Sequence, residues 1–286
     1  ALMQQLAKIF ALLSGVKYSK QANIVSNTYF TDRAMVLGIL FASLIICCII
    51  IVRTKIKENN NLNLCKIVGF SLIVSFVRSL LQQYWQSNTM IKALGVGNKE
   101  NQELFSQMFH YMKTTGRMLN TSERDHLMSH MCVHISPMFY TILPFYMLVS
   151  SPVTLEVMQA VVIAIAVIPL CRLAEYKGMS RRAVLIICII YFFYPVISGG
   201  CFYDIHENMF LPVLIFTFLL YMEKDNMTGI LISAILICLV KEDAPVFLMF
   251  MALYMIIGKR MYKKGFIILI LSIVYFVIAC KIIEII

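Results

Sequence analysis

The chain has 286 residues, of which 60% are hydrophobic and only 14% charged, with a mean hydropathy of +0.81. An ordinary soluble domain is about half apolar and a quarter charged, so no water-soluble fold covers this much apolar surface and lipid must solvate it. The formal charge of +10 does not mark a nucleic-acid binder. The basic residues sit in short clusters between apolar blocks, the pattern of cytoplasmic loops beside anionic headgroups.

The apolar residues come in blocks of spanning length without strand-like alternation. This predicts an all-α fold, a polytopic transmembrane helical bundle, and argues against a β-barrel. Nine cysteines imply no disulfide framework, since Cys47, Cys48, Cys188, Cys238 and Cys280 lie inside apolar runs. Residues 1–33 are amphipathic, with Leu2, Leu6, Ile9, Phe10 and Leu13 on one face beside Lys8 and Lys17. They read as an interfacial helix or the remnant of an earlier span. The membrane domain follows over 34–286, with spans expected near 34–52, 65–86, 153–171, 183–199, 208–222, 227–240, 244–258 and 265–283. The chain opens on Ala1 and stops inside an apolar run at Ile286, which reads as a segment of a longer protein.

Lys/Arg bias sets the orientation. The clusters are Arg53-Lys55-Lys57-Lys66, Arg172-Lys177-Arg181-Arg182 and Lys259-Arg260-Lys263-Lys264. All three share a side only when the apolar stretch 137–150 does not cross. That stretch is therefore expected in the outer interface, with Ser136 as N-cap, Pro137 at the first helical position, a staple between Ile135 and Tyr140, and an interruption at Pro144. Residues 87–152 then form one long external loop carrying interfacial helices, a length uncommon unless functional. Cys201–Asn208 and Lys241–Asp243 join it on the same face of a multi-pass protein of the cell membrane.

Three polar segments could carry chemistry. The loop holds Glu100, Glu103, Glu123, Arg124, Asp125, His126, His130 and His134. The histidine spacing resembles one helical face, but three such residues span about 12 Å, too far for one metal ion. In the second segment Asp204, His206 and Glu207 stand between two apolar runs; a solvated turn is the bland account, with the acids favoured by a helix N-terminus. In the third, capping and dipole complementarity account for the signs of Lys241, Glu242 and Asp243. Charges near apolar spans nevertheless persist chiefly when paired or functional. Arg78, inside an apolar run, reads as structural.

In order along the chain stand Leu104-Phe105-Ser106-Gln107-Met108-Phe109, Glu123-Arg124-Asp125, Ser129-His130 and Val133-His134-Ile135-Ser136-Pro137. Leu143-Pro144-Phe145-Tyr146, Ser151-Pro152, Gln159-Ala160, Ile168-Pro169-Leu170 and Tyr194-Pro195 follow, then Asp204-Ile205-His206-Glu207 and Lys241-Glu242-Asp243-Ala244-Pro245. This collinear set, covering more than half the chain, resembles the family of predicted membrane proteins catalogued as domain of unknown function 2079. The layout also resembles the polytopic glycosyltransferases that use lipid-phosphate-linked sugars, and the His134-Ile135-Ser136-Pro137 helix is similar to the His-Pro-Pro helix in their loop; this likeness is an analogy. One departure stands out: the family pattern has an Asp three residues before the Leu-Phe pair, where this chain has Asn101. Any metal or base role there moves to Glu100 or Glu103.

The resemblance implies sugar transfer from a polyprenyl-phosphate donor to an acceptor on the external face. Such chemistry needs a carboxylate base and positive charge for the departing phosphate. Glu103 is the candidate base, with Asp125 and Asp204 as alternatives. Lys241 or Arg124 would bind the donor phosphate, with His134, His206 and Glu207 as further substrate contacts. Glu242 and Asp243 would orient Lys241 or hold a divalent cation, Mg or Mn. The alternatives are a membrane transporter or flippase and a non-catalytic envelope protein. A transporter is disfavoured because the ionisable residues collect at one surface and no internal repeat is evident.

Overall fold

A computed structural model describes residues 73, 77, 99–121, 123, 126–194 and 205–285. Apart from Lys99 they belong to one compact unit, Asn61–Ser79 with Glu100–Ile286. The expected segment 1–33, the spans at 34–52 and 65–86, and Arg78 lie outside the described residues, apart from Ile73 and Val77.

The described part of the long loop folds as a cap. Helix α1 (Lys99–Thr115) buries Met108, Phe109 and Met112. It leads into a two-residue antiparallel ladder, β1 (Leu119–Asn120) with β2 (Met128–Ser129), in which Leu119 faces Ser129. Phe109 meets Phe139 and Tyr146 with ring centroids 5.7 and 5.4 Å apart, so aromatic contacts hold α1 against the segment after Ser136.

That segment is not one helix. A 3-10 turn over Pro137–Thr141 is followed by α2 (Leu143–Leu148), only six residues long. At about 1.5 Å per residue neither piece approaches the roughly 30 Å of a hydrocarbon core. The expected interruption falls at Ile142, because Pro144 sits in the first turn of α2, where its missing N–H costs nothing. Ser136 makes no side-chain cap; its Oγ is buried without a hydrogen-bond partner. Tyr140 donates its hydroxyl to Gly116 O at 2.8 Å, toward α1.

A long apolar helix follows over Pro152–Tyr176, broken at Ala166 into α3 (Pro152–Ile165) and α4 (Val167–Tyr176). Its start is written in Ser151-Pro152: Ser151 accepts from Val153 N, and proline occupies the first turn. It runs five residues past the expected end at 171. Then come α5 (Arg181–Phe193), α6 (Leu211–Glu223) preceded by a 3-10 turn at Glu207–Phe210, α7 (Met227–Cys238), α8 (Ala244–Ile257) and α9 (Tyr262–Ile285). Among the described residues, two helices are long and apolar enough to cross a membrane: Pro152–Tyr176, with mean hydropathy 2.2, and Tyr262–Ile285, with 2.9. Helix α9 leaves Phe266, Ile270, Val274, Val277 and Ile278 exposed, a contiguous apolar surface that water solvates poorly. Inside the bundle, Ser233 and Ser272 return their hydroxyls to Gly229 O and Ile268 O, so neither is orphaned.

The basic loops meet at one end. Glu223, closing α6, pairs with Lys177 after α4 and with Lys259 after α8, the latter at 2.6 Å. Lys264 in α9 reaches Asp225 at 2.6 Å. Two of the three basic clusters therefore share an end, as the charge bias predicts; the Arg53–Lys66 cluster lies outside the described residues.

Helices α8 and α9 cross closely at Gly265. A Cβ there would lie 2.6 Å from Ile256 Cγ1 and 3.1 Å from Ala252 O. Because backbone blocks one side, Gly265→Ala should destabilise the chain by about 1–3 kcal/mol. Thermal unfolding in detergent measures it, and an unchanged midpoint would contradict the crossing.

Candidate functional site

The site forms at the end of the bundle opposite the Glu223 ion pairs. Helix α7 stops at Cys238 and α8 starts at Ala244, so Lys241-Glu242-Asp243 occupy the corner. The cap docks on this corner through Met138 N, which donates to Leu239 O at 3.1 Å.

Glu242 contacts the cap twice. Its Oε1 lies 2.9 Å from His134 Nδ1, and its Oε2 accepts Ile135 N at 3.0 Å. Burial raises the Glu242 pKa, but the bond from His134 and the backbone N–H groups outweigh it and hold the carboxyl below its ordinary value. The same bond raises the His134 imidazole above its ordinary value, against burial and the nearby Lys241 charge.

Lys241 turns the other way. Its Nζ is 3.0 Å from Glu207 Oε1, and Glu207 Oε2 is 3.0 Å from His206 Nδ1. The Glu207 side chain is 2% exposed and that of Lys241 11%, so this is a buried ion pair. The contacts are ionic rather than linear hydrogen bonds, since neither Glu207 Oε1 nor His206 Nδ1 has a well-aligned partner. Burial pushes the Glu207 carboxyl up, yet His206 and Lys241 hold it well below the usual carboxylate range. His206 is fixed from behind: its backbone N–H donates to Gln159 Oε1 of α3 at 2.9 Å.

A second imidazole–carboxylate pair backs the first. His130 Nδ1 lies 2.7 Å from Glu123 Oε1, and Asn120 Nδ2 donates to Glu123 Oε2 at 3.0 Å. Burial raises the Glu123 pKa, and these partners lower it below the ordinary value. The rings of His130 and His134 sit with centroids 5.7 Å apart, with no helix between them, only the 3-10 turn His130–Cys132.

Five of the expected residues, His134, His206, Glu207, Lys241 and Glu242, thus come together. Asp243 is exposed and makes no side-chain cap, contrary to the capping account of the corner. Glu103 lies in α1 with its side chain outside the described residues, and Arg124, Asp125 and Asp204 lie outside them altogether. Among the described residues no three His, Cys, Asp or Glu side chains converge as metal ligands. Glu242, expected on a cation with Asp243, spends both oxygens on His134 and Ile135, and the pair does not fit a metal centre by itself. Glu123 and His130, both among the loop residues singled out in the sequence, pair with each other, and Gln159 is an addition to the candidate set. In the sequence Gln159 shows only as part of the Gln159-Ala160 motif and as an amide inside an apolar run.

A pH window follows from the His134–Glu242 pair. The raised imidazole stabilises the fold below its unfolded value, and this is lost as pH rises through the folded value. The depressed carboxyl stabilises it above its unfolded value, and this is lost as pH falls through the folded value. Both contributions are complete between roughly pH 4.5 and 6.5. The melting-point difference between wild type and His134→Gln should be largest there and shrink on either side; a flat difference would contradict the pairing.

The family model for predicted membrane proteins of domain of unknown function 2079 matches residues 98–284, which include every residue of this cluster. Neither the curated proteins nor the solved structures contain a match to the chain. With well over half its length matched, and with two helices of membrane-crossing length and apolarity, the chain belongs to the DUF2079 family of predicted membrane proteins.

Proposed function

We propose that the chain is a multi-pass protein of the cell membrane that transfers a sugar from a polyprenyl-phosphate donor to an acceptor on the external face. The observation that carries this reading is Lys241-Glu242. Adjacent residues at one helix corner hold a carboxylate-oriented imidazole on one side and a buried ammonium on the other. The corner lies at the end opposite the basic loops, which supports an external site by the positive-inside rule.

In this reading Glu242 keeps the proton of neutral His134 on Nδ1 and leaves the Nε2 lone pair free, the usual work of a carboxylate behind a catalytic imidazole. His134 Nε2 takes the proton of the acceptor hydroxyl, and the hydroxyl oxygen bonds to the anomeric carbon. The bond from that carbon to the phosphate oxygen breaks, and Lys241 stabilises the departing polyprenyl phosphate as a point charge. Glu207, held anionic, positions Lys241 and is a poor base. Glu103, Asp125 and Asp204 supply further candidate bases on the same segments, and Arg124 a second candidate cation.

The test is radiolabelled sugar transfer from polyprenyl-phosphate hexoses and pentoses by purified protein in detergent. Transfer by wild type and its loss in Lys241→Ala are expected; a wild type inert with every donor overturns the reading. Activity kept in His134→Ala but lost in Asp204→Asn would move the base to Asp204. Sidedness is tested separately on a cysteine-free background. Asp243→Cys should react with an impermeant maleimide on intact cells and Gly178→Cys should not, and the reverse pattern would place the site in the cytoplasm.

A further inference from the structure

A helix lying on a protein in water turns its apolar side inward and its polar side outward. Helix α2 breaks that rule. Its inward side is apolar, with Tyr146 buried against Phe109 and Ile142, just before the helix, 1% exposed. Its outward side is apolar as well: Phe145 is 48%, Met147 53% and Leu148 82% exposed, and Val149 continues the surface at 60%. From Leu143 to Val149 there is no charged side chain and no polar one but the Tyr146 hydroxyl.

The chain itself points to what covers this face. Three residues after Val149, at Pro152, begins a helix long and apolar enough to cross a membrane, and Val153 in its first turn is exposed. The outward face of α2 is therefore continuous with the start of a spanning helix, at the level where that helix enters lipid. A cation stands at its rim. Lys113, in the last turn of α1, donates to Ser150 Oγ at 2.9 Å, and Ser150 returns its own hydroxyl to Tyr146 O at 3.0 Å. An ammonium has three donors and Ser150 takes one, which leaves two at an exposed position. The dipole of α1 accounts for a lysine in its last turn, but not for tying that lysine to a residue 37 positions on, beside an uncovered apolar face. An apolar face with a fixed cation at its edge complements a phospholipid, chains below and phosphate above.

We infer that α2 and Val149 are seated among the acyl chains of the leaflet that α3 enters, with Lys113 on a lipid phosphate. A six-residue helix thereby anchors the cap to the bilayer without crossing it. The seat does not depend on the transferase reading.

The chain has one tryptophan, Trp85, so Trp85→Phe with Leu148→Trp places a single reporter on the seat. In vesicles of phosphatidylcholine brominated on its acyl chains, the reporter should lose most of the fluorescence it shows in the unbrominated lipid, and aqueous iodide should barely quench it. Quenching by iodide and not by bromine overturns the seat. Shielding from both does so too, since protein would then cover the face. Val149→Trp is the second reporter should the first variant fail to fold. The same reporter tests Lys113 by comparing brominated phosphatidylglycerol with brominated phosphatidylcholine at equal mole fraction. One lysine near an anionic surface is worth about fivefold in local preference, and Lys113→Gln should abolish that preference. A preference that survives the substitution, or that is missing before it, removes the phosphate from Lys113.

Discussion

Lys241→Met is expected to destabilise the folded chain by about 3–5 kcal/mol, the cost of stranding a buried charge. Glu207 is the charge left behind. Its side chain is almost wholly enclosed, and its compensation comes from Lys241 and His206 at 3.0 Å each. Replacing both partners should reverse most of the loss, because a buried ion pair is often no more stabilising than well-packed apolar residues of similar volume. Lys241→Met with Glu207→Leu should therefore unfold near the wild-type midpoint in a denaturant titration in mild detergent, yet transfer no sugar. A single variant as stable as wild type would mean that the pair is not buried.

Glu242→Gln should slow transfer by about 10²–10⁴-fold, the usual worth of a positioned general base. His134→Ala should cost as much, and the double variant little more, because the two residues act as one unit. The pH profile separates this from mere structural damage. On the proposed transferase reading the base works deprotonated, so the wild-type rate should climb with pH through the raised value of His134. The bond to Glu242 is the largest cause of that rise. Residual activity in Glu242→Gln should therefore climb at lower pH than in wild type. An unshifted limb would remove His134 from the proton transfer.

Much of the architecture is legible in the sequence because apolar length is a one-dimensional signal. The helices Pro152–Tyr176 and Tyr262–Ile285 stand out as long, predominantly apolar runs, and the bunched basic residues foretell that Lys177 and Lys259 share an end. That His134, His206-Glu207 and Lys241-Glu242 share one end of the bundle also agrees with counting crossings. The choice of partner is not legible. Capping accounts for Lys241-Glu242-Asp243 as written, yet Asp243 caps nothing by its side chain and Glu242 reaches a histidine 108 positions away. His126, His130 and His134 mimic a helical face, but the segment pairs as a short ladder with Leu119–Asn120, a non-local preference that spacing does not encode. Gln159 is hidden for the same reason: its partner is a backbone N–H 47 residues on.

The contact between His134 and Glu242 also sets a timetable. Ribosomes add about 5–20 residues per second, so the cap would wait roughly 5–20 s after His134 is made before its carboxylate is made. For that interval the nascent chain holds an unclosed histidine loop. Truncations ending before Glu242 should be degraded by membrane quality control or retained by insertion chaperones, and Glu242 substitutions should mature as poorly as changes in the cap itself.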